Sequence, residues 1–269
     1  VLLEGRRVGE TGPLGSVGWS ARNRSYAPVV VSDAERCPAP VRVAVMRQQW
    51  LDLAYVHWRY EPAAVQALLP TGLTVDTFDG SAWVGLIPFS MRHIGLGRGP
   101  AVPYLGSFAE VNVRTYVRAA SGPGVWFFSL DVDRLIPALT ARLTYRLPYC
   151  WGRTSHERSE DVLTTVVRRR WPDRVVDSCL EVDLGEPVTA DALDVFLTAR
   201  WGLYSRRGRG IRYAPVDHAP WPLRAATLRH VDESLVRAAG LPAPAGDPHL
   251  RASDGVAVRI GLPRRVRQG

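Results

Sequence analysis

The sequence predicts an α+β protein built on antiparallel β-sheet, folded as a half-closed barrel with a few short helices. Three observations predict it. From Trp50 onward, apolar and polar residues alternate over one strand-length stretch after another. Two tight-turn signatures, Asp79-Gly80 and Ser121-Gly122-Pro123-Gly124, sit between such stretches. Helical spacing of apolar residues is confined to short runs.

Taken in order, residues 1 to about 45 carry Gly5, Gly9, Gly12, Gly15 and Gly18 without apolar periodicity, then Cys37-Pro38-Ala39-Pro40. They read as a disordered extension. One domain then runs from Met46, the first methionine, to residue 269, with no internal repeat and no linker. Leu51, Leu53, Tyr55 and His57 alternate with Asp52, Ala54, Val56 and Trp58, which predicts a mostly buried strand. Glu61-Pro62 opens a short helix that Pro70-Thr71-Gly72 stops, because proline suits a first helical turn and not a later one. Leu73 to Phe78 and Ala82 to Arg92 read as a hairpin around Asp79-Gly80. Glu110 to Arg118 and Val125 to Leu130 read as a second hairpin.

Leu135, Leu139 and Leu143 recur every four residues and predict an amphipathic helix over 131–145, ending before Pro148. Strands follow near 154–157, 162–170 and 178–184. Thr189-Ala190-Asp191 caps a helix carrying Leu193, Phe196, Leu197 and Trp201. Strands at 211–216 and 227–231, a helix at 233–239 stopped by Gly240, and a strand at 256–261 complete the order.

A chain of 269 residues, 46% hydrophobic and with nine tryptophans, can bury a substantial core. No apolar run reaches the length of a membrane span, and no apolar segment follows Arg6-Arg7 as a secretory leader requires. Cys37, Cys150 and Cys179 are odd in number, far apart and without a CxxC. They read as reduced thiols of a cytoplasmic protein. His57, His93, His156, His218, His230 and His249 show no HxH or HxxxH spacing, so no metal and no other cofactor is expected. Ser129 stands outside any GxSxG elbow, and Gly95-Leu96-Gly97-Arg98-Gly99 lacks the lysine of a phosphate loop.

The formal charge is +8, and all 34 basic residues are arginine. They cluster at Arg168-Arg169-Arg170, over Arg200 to Arg212, and at Arg264-Arg265 with Arg267. Such patches can attract nucleic acid or an anionic partner. No nucleic-acid-binding signature or interleaved aromatic platform accompanies them, so a solvated surface is the simpler reading. The absence of lysine fits compositional drift toward Ala, Gly, Pro, Arg and Val. It nonetheless removes the side chain that forms imines, since arginine stays protonated.

Three segments carry a recognisable pattern: His57-Trp58-Arg59 with Pro70-Thr71-Gly72-Leu73 and Phe78-Asp79-Gly80 through Leu86; Glu110-Val111-Asn112-Val113-Arg114-Thr115-Tyr116-Val117 with Gly124 through Asp131; and His218-Ala219-Pro220-Trp221-Pro222-Leu223. The pattern resembles the YqjF-like family of uncharacterised bacterial proteins, over nearly everything from Met46 onward. That family is similar to a branch of the acetoacetate decarboxylase-like superfamily. The resemblance implies a β-barrel or cone around a small-molecule cavity, with short helices packed outside. It also implies that Glu110 takes the glutamate position of the decarboxylases, Asp131 and Asp133 the acidic strand end, and Arg142 the helix arginine. Tyr149 and Cys150 then stand where those enzymes keep two lysines. Decarboxylation through an imine needs an amine nucleophile and a neighbouring cation, and this chain has neither unless its N-terminal amine serves. Fold similarity does not carry function across that gap.

Glu110 is the candidate general acid or base, and Tyr149 the candidate hydrogen-bond donor to a ligand oxygen. Arg114, four residues on and on the same strand face, is a candidate for holding a substrate carboxylate in bidentate fashion or for pairing with Glu110. His57 and Arg59 in the first strand, Asp131, Arg142 and His218 complete the candidate ligand-binding set. Three readings stay open. One is a binding protein for a carboxylate or carbonyl compound. Another is a non-imine enzyme using Glu110 beside a carbonyl. The third is an arginine-driven nucleic-acid or partner-binding protein. Antiparallel edge strands leave room for a homo-oligomer.

Overall fold

A computed structural model of the chain describes residues 32–103, 106–134, 146–172, 176–208 and 210–266. Its strands are β1 (Met46–Tyr60), β2 (Thr74–Val75), β3 (Ala82–Leu96), β4 (Phe108–Ala119), β5 (Gly122–Val132), β6 (Tyr149–Ser159), β7 (Val162–Trp171), β8 (Asp177–Pro187), β9 (Gly202–Arg207), β10 (Gly210–His218), β11 (Leu223–Glu233), β12 (His249–Ile260) and β13 (Arg264–Arg265). Its α-helices are α1 (Pro62–Gln66), α2 (Ala192–Thr198) and α3 (Leu235–Ala238).

Nine strands close a barrel in the order β5-β6-β7-β8-β11-β12-β1-β3-β4, with β4 returning to β5. Two strands fork. β5 gives Val125 and Trp126 to β9 but Leu130, Asp131 and Val132 to β6, both in parallel. β12 gives Arg251, Ala252 and Ser253 to β11 but Val258, Arg259 and Ile260 to β10. The barrel is therefore mixed, and β9–β10 form a second bridge across it.

The fork leaves the five strands β12-β1-β3-β4-β5 as a wall buried on both faces. Side chains alternate across it. Ala54, Val56, Val84, Leu86, Val111 and Val113 pack toward Leu163 and Val167 of β7, Leu180 and Val182 of β8, and Leu235 and Val236 of α3. Leu53, Tyr55, Ile87, Phe89, Phe108 and Tyr116 face the other way, toward Leu203, Ala214 and Val216 of β9 and β10. Two-sided burial explains why Ala82 to Met91 of β3 is buried without a break.

Several sequence expectations change in detail. The Asp79-Gly80 turn forms, with φ of 51° and 71° and with Phe78 and Ser81 exchanging backbone hydrogen bonds. Its first arm, β2, pairs with Val117 and Arg118 of β4 instead of with β3, whose edges β1 and β4 already occupy. Asp131 and Val132 close β5 rather than open a helix, because β6 adds beside them. The remainder of that expected helix, 135–145, lies outside the described residues. Trp201 lies beyond the end of α2, and its carbonyl accepts from the Val216 amide. Strand β9, hidden within the arginine cluster, buries Gly202 to Ser205 and exposes only Arg206 and Arg207. Of the expected N-terminal extension, residues 32–45 are docked: Val41 is buried, its amide donates to Asp217 Oδ2 at 3.1 Å, and the Val45 amide donates to Ile260. Residues 1–31 lie outside the described residues.

The α2 cap is as expected. Asp191 accepts from the Asp194 amide, and Asp194 in turn holds His249 at 2.7 Å and Arg251 at 3.0 Å. Among the described residues no helix is long and apolar enough to cross a membrane.

Candidate functional site

A cavity of about 710 Å³ lies between the five-strand wall and β9–β10. Pairing register sets its long direction. Met46 pairs with Leu96 at one end of β3, whereas Arg114 of β4 pairs with Gly85 near the other. Leu96, Val102 and Leu262 line it and are solvent-exposed, which marks the mouth. Glu110, Asn112 and Arg114 follow one another inward at period two on one face of β4. All three are buried.

The outer pair of polar groups satisfies itself. Tyr149 Oη donates to Glu110 Oε2 at 3.2 Å, and Asn112 also hydrogen-bonds the carboxyl. Burial pushes the Glu110 carboxyl up to about 8 against the pull of those two bonds, and nearby Asp131 adds to the rise. Glu110 is thus a neutral acid at pH 7. Burial, with Glu110 beside it, also raises the Tyr149 phenol well above its usual range.

The inner groups are less well matched. Arg114 Nη2 donates to the Leu197 carbonyl in the last turn of α2 at 3.4 Å, and the guanidinium lies 5.6 Å from the Tyr55 ring and 5.7 Å from that of Tyr116. Arg114 Nε and Asn112 Oδ1 have no hydrogen-bond partner, and no carboxylate pairs with Arg114 among the described residues. The Tyr116 hydroxyl also hydrogen-bonds Arg114, but a guanidinium without a counter-charge among the described residues, in a largely apolar cavity, is a natural receiver for an anion.

Residues 47–257 match the DUF2071 family, described as uncharacterized conserved proteins. The chain belongs to that family. Its curated relative YqjF of Bacillus subtilis (strain 168), itself uncharacterized, is 32% identical over 213 residues, covering 78% of this chain and 88% of YqjF. Among solved structures it is similar to an acetoacetate decarboxylase-like enzyme from Sphingomonas wittichii RW1 (TM-score 0.60, 17% identity, 87% of this chain and 97% of that one). It is also similar to the acetoacetate decarboxylase of Legionella pneumophila (0.58, 13%, 86% and 92%) and to the enduracididine biosynthesis enzyme MppR complexed with pyruvate (0.56, 14%, 86% and 93%). At such identities the likeness concerns the fold, an acetoacetate decarboxylase-like barrel, and the DUF2071 chain shares it.

The fold brings Glu110, Arg114 and Tyr149 into one cavity, and leaves His57, Arg59, Asp131 and His218 outside its lining. Asp131 is on the opposite side of the wall, held by Arg169 at 2.6 and 2.8 Å and by the Ser129 hydroxyl at 3.0 Å. Its carboxylate is spent on structure, which the position at the end of β5 did not reveal. Arg59 is exposed, 3.6 Å from Asp79 and 4.9 Å above the Trp83 ring, so it braces the neighbouring turn. His218 Nδ1 donates to the Ala219 carbonyl at 2.7 Å, and the ring is wedged against Trp201 and Trp221; burial lowers its pKa to about 4. Arg142 lies outside the described residues.

His57 sits one layer behind the cavity. Its Nε2 is 2.7 Å from Tyr116 Oη, and burial first, then Arg114 and His249, lower its pKa well below the usual imidazole range. Gly85 makes room for it, since a Cβ there would stand 2.6 Å from His57 Nε2. Gly85→Ala is therefore expected to cost about 1–3 kcal/mol in urea denaturation, as overpacked cores do; an unchanged midpoint would show that the ring can yield.

Sequence reasoning missed Asn112, Gln48, Trp50 and Arg212 as lining residues. Asn112 was within reach, because the period of two that joins Glu110 to Arg114 passes through it. Half-buried Arg212 comes from β10 and carries no local signal. The arginine clusters are divided: Arg169 points inward to Asp131, and buried Arg200 holds Asp76 at 2.6 Å. Arg168 and Arg170 line an outer groove of about 500 Å³ with Arg153 and Trp151. Among the described residues, no three His, Cys, Asp or Glu side chains converge as metal ligands would.

Proposed function

We propose that this chain binds a small organic compound bearing a carboxylate or a carbonyl in the cavity between the five-strand wall and β9–β10, without imine chemistry. Arg114 carries the reading: a buried guanidinium lining the cavity, with Nε unpartnered and no carboxylate beside it among the described residues. A bound carboxylate would supply both the counter-charge and the missing acceptor. MppR, a neighbour in fold, is recorded with pyruvate, itself a small keto acid. The absence of lysine throughout the 269 residues argues against a Schiff base here. The scattered cysteines, without a CxxC, favour a cytoplasmic setting.

Thermal unfolding with pyruvate and acetoacetate tests the reading. A ligand that binds only the folded state raises the Tm by mass action. Arg114→Gln should abolish the rise; a rise that survives in the variant would place the anion elsewhere.

A second reading has its own observation. Glu110 is a buried acid with its pKa near 8 and a phenol hydrogen-bonded to it, the setting of a general acid that works near neutral pH. In this reading Glu110 moves a proton beside a carbonyl, as in enolisation, hydration or dehydration, while Arg114 or Tyr149 steadies the developing oxyanion. Solvent-deuterium exchange into the same two keto acids, followed by NMR, separates the readings. Exchange that Glu110→Gln abolishes makes the protein an enzyme; binding without exchange makes it a receptor.

A further inference from the structure

How polar atoms are arranged along the cavity narrows the class of acid it suits. Near the middle, Glu110 and Tyr149 satisfy one another, and neither carries charge at pH 7. At the inner end, Arg114 Nε and Asn112 Oδ1 are unsatisfied. Of the two only Arg114 Nε is a donor, and it makes the inner end the place for an anionic head group, whereas Asn112 Oδ1 can take only a donor. Toward the mouth the walls are mainly apolar, with Met46, Phe89, Met91, Ile94 and Phe108 among them beside Gln48 and the Trp50 indole. The rim continues in Leu96 and Leu262, which are 64% and 71% exposed. Arg212, the other lining cation, is half-buried and keeps contact with solvent. Size points the same way. Each heavy atom of a three- or four-carbon keto acid needs no more than the roughly 30 Å³ share of a liquid water, so such a ligand leaves most of 710 Å³ unfilled.

We propose that the ligand is an elongated amphiphilic monocarboxylate lying lengthwise, its carboxylate at Arg114 and its hydrocarbon tail directed past Glu110 toward Leu96 and Leu262. The inference rests on the preceding reading that Arg114 holds a carboxylate, and it adds the tail, its direction and its chemical class. Neutral Glu110 is what allows a tail to pass, because an ionised carboxylate at that depth would repel both the tail and the incoming head group.

Isothermal titration of butanoate, hexanoate, octanoate and decanoate tests it on the intact protein. Each added methylene should tighten binding about fourfold until the tail emerges at the mouth, and the heat-capacity change should grow more negative along the series. Decanol should bind more weakly than decanoate. Arg114→Gln should weaken every acid by about ten- to a hundredfold while leaving the increment per methylene unchanged. Acids that all bind equally well overturn the amphiphile and leave the acid site standing. Decanol binding as tightly as decanoate overturns the head-group assignment and the acid site with it. No binding by any acid overturns both. The chain-length series on the unaltered protein decides the matter even if the Arg114 variant fails to fold.

Discussion

Replacing Arg169 by methionine should destabilise the fold by about 3–5 kcal/mol. The guanidinium meets Asp131 through two hydrogen bonds of 2.6 and 2.8 Å, and the two side chains are only 3% and 2% exposed. Removing the cation leaves a buried carboxylate that keeps the Ser129 hydroxyl as a donor. The pair spans β6, since β5 and β7 lie on either side of it, so the loss falls where the barrel closes in parallel. Urea denaturation measures it. The double variant Arg169→Met with Asp131→Leu should recover much of the loss, because replacing both partners removes the buried charge as well as its counter-ion. A single-variant cost below about 1 kcal/mol, as for an exposed pair, would mean that the bridge does not hold the closure.

Glu110→Gln should raise stability at alkaline pH and flatten its pH dependence. Below the usual carboxyl pKa of 4.5, Glu110 is protonated in the folded and unfolded chain alike. From there to about 8 the unfolded chain has lost the proton and the folded chain keeps it, so the wild type loses stability as pH rises, and the loss is complete above 8. At about 1.4 kcal/mol per pH unit the penalty is on the order of 5 kcal/mol. Glutamine is neutral throughout and escapes it. The buried histidines titrate alike in both proteins, so the variant's denaturation midpoint should gain steadily on that of the wild type between pH 4.5 and 8. Parallel curves would show that Glu110 is ionised inside the fold, which would also remove the path that a hydrocarbon tail needs.

Much of the barrel was legible because alternation and turn chemistry are local. The Asp79-Gly80 turn, the Asp191 cap and the shared face of Glu110 and Arg114 follow from spacings of two to four residues. Partner choice is not local. Nothing between Leu73 and Phe78 says that β2 joins β4, because the decision is made by which edges remain unpaired. Strand β9 was masked by its own arginines: Arg206 and Arg207 are exposed, while Gly202 to Ser205 feed the interior. At the site, Glu110 and Tyr149 are 39 residues apart and were linked through family resemblance, and the 3.2 Å contact gives that link a geometry. Asp131 illustrates the converse. An acidic residue at a strand end looks alike in sequence whether it faces a ligand or an arginine on another strand.

The forked strands make β4 a ribbon with two independent scripts. Odd positions such as Val111 and Val113 answer to β7 and β8, whereas even positions such as Glu110, Asn112 and Arg114 face the cavity. Substitutions at 110, 112 and 114 can rewrite the chemistry of the lumen while the odd positions keep the contacts with β7 and β8. Absence of lysine and the barrel architecture are then compatible in one molecule, and a designer could graft new head-group chemistry onto those three positions while keeping the scaffold.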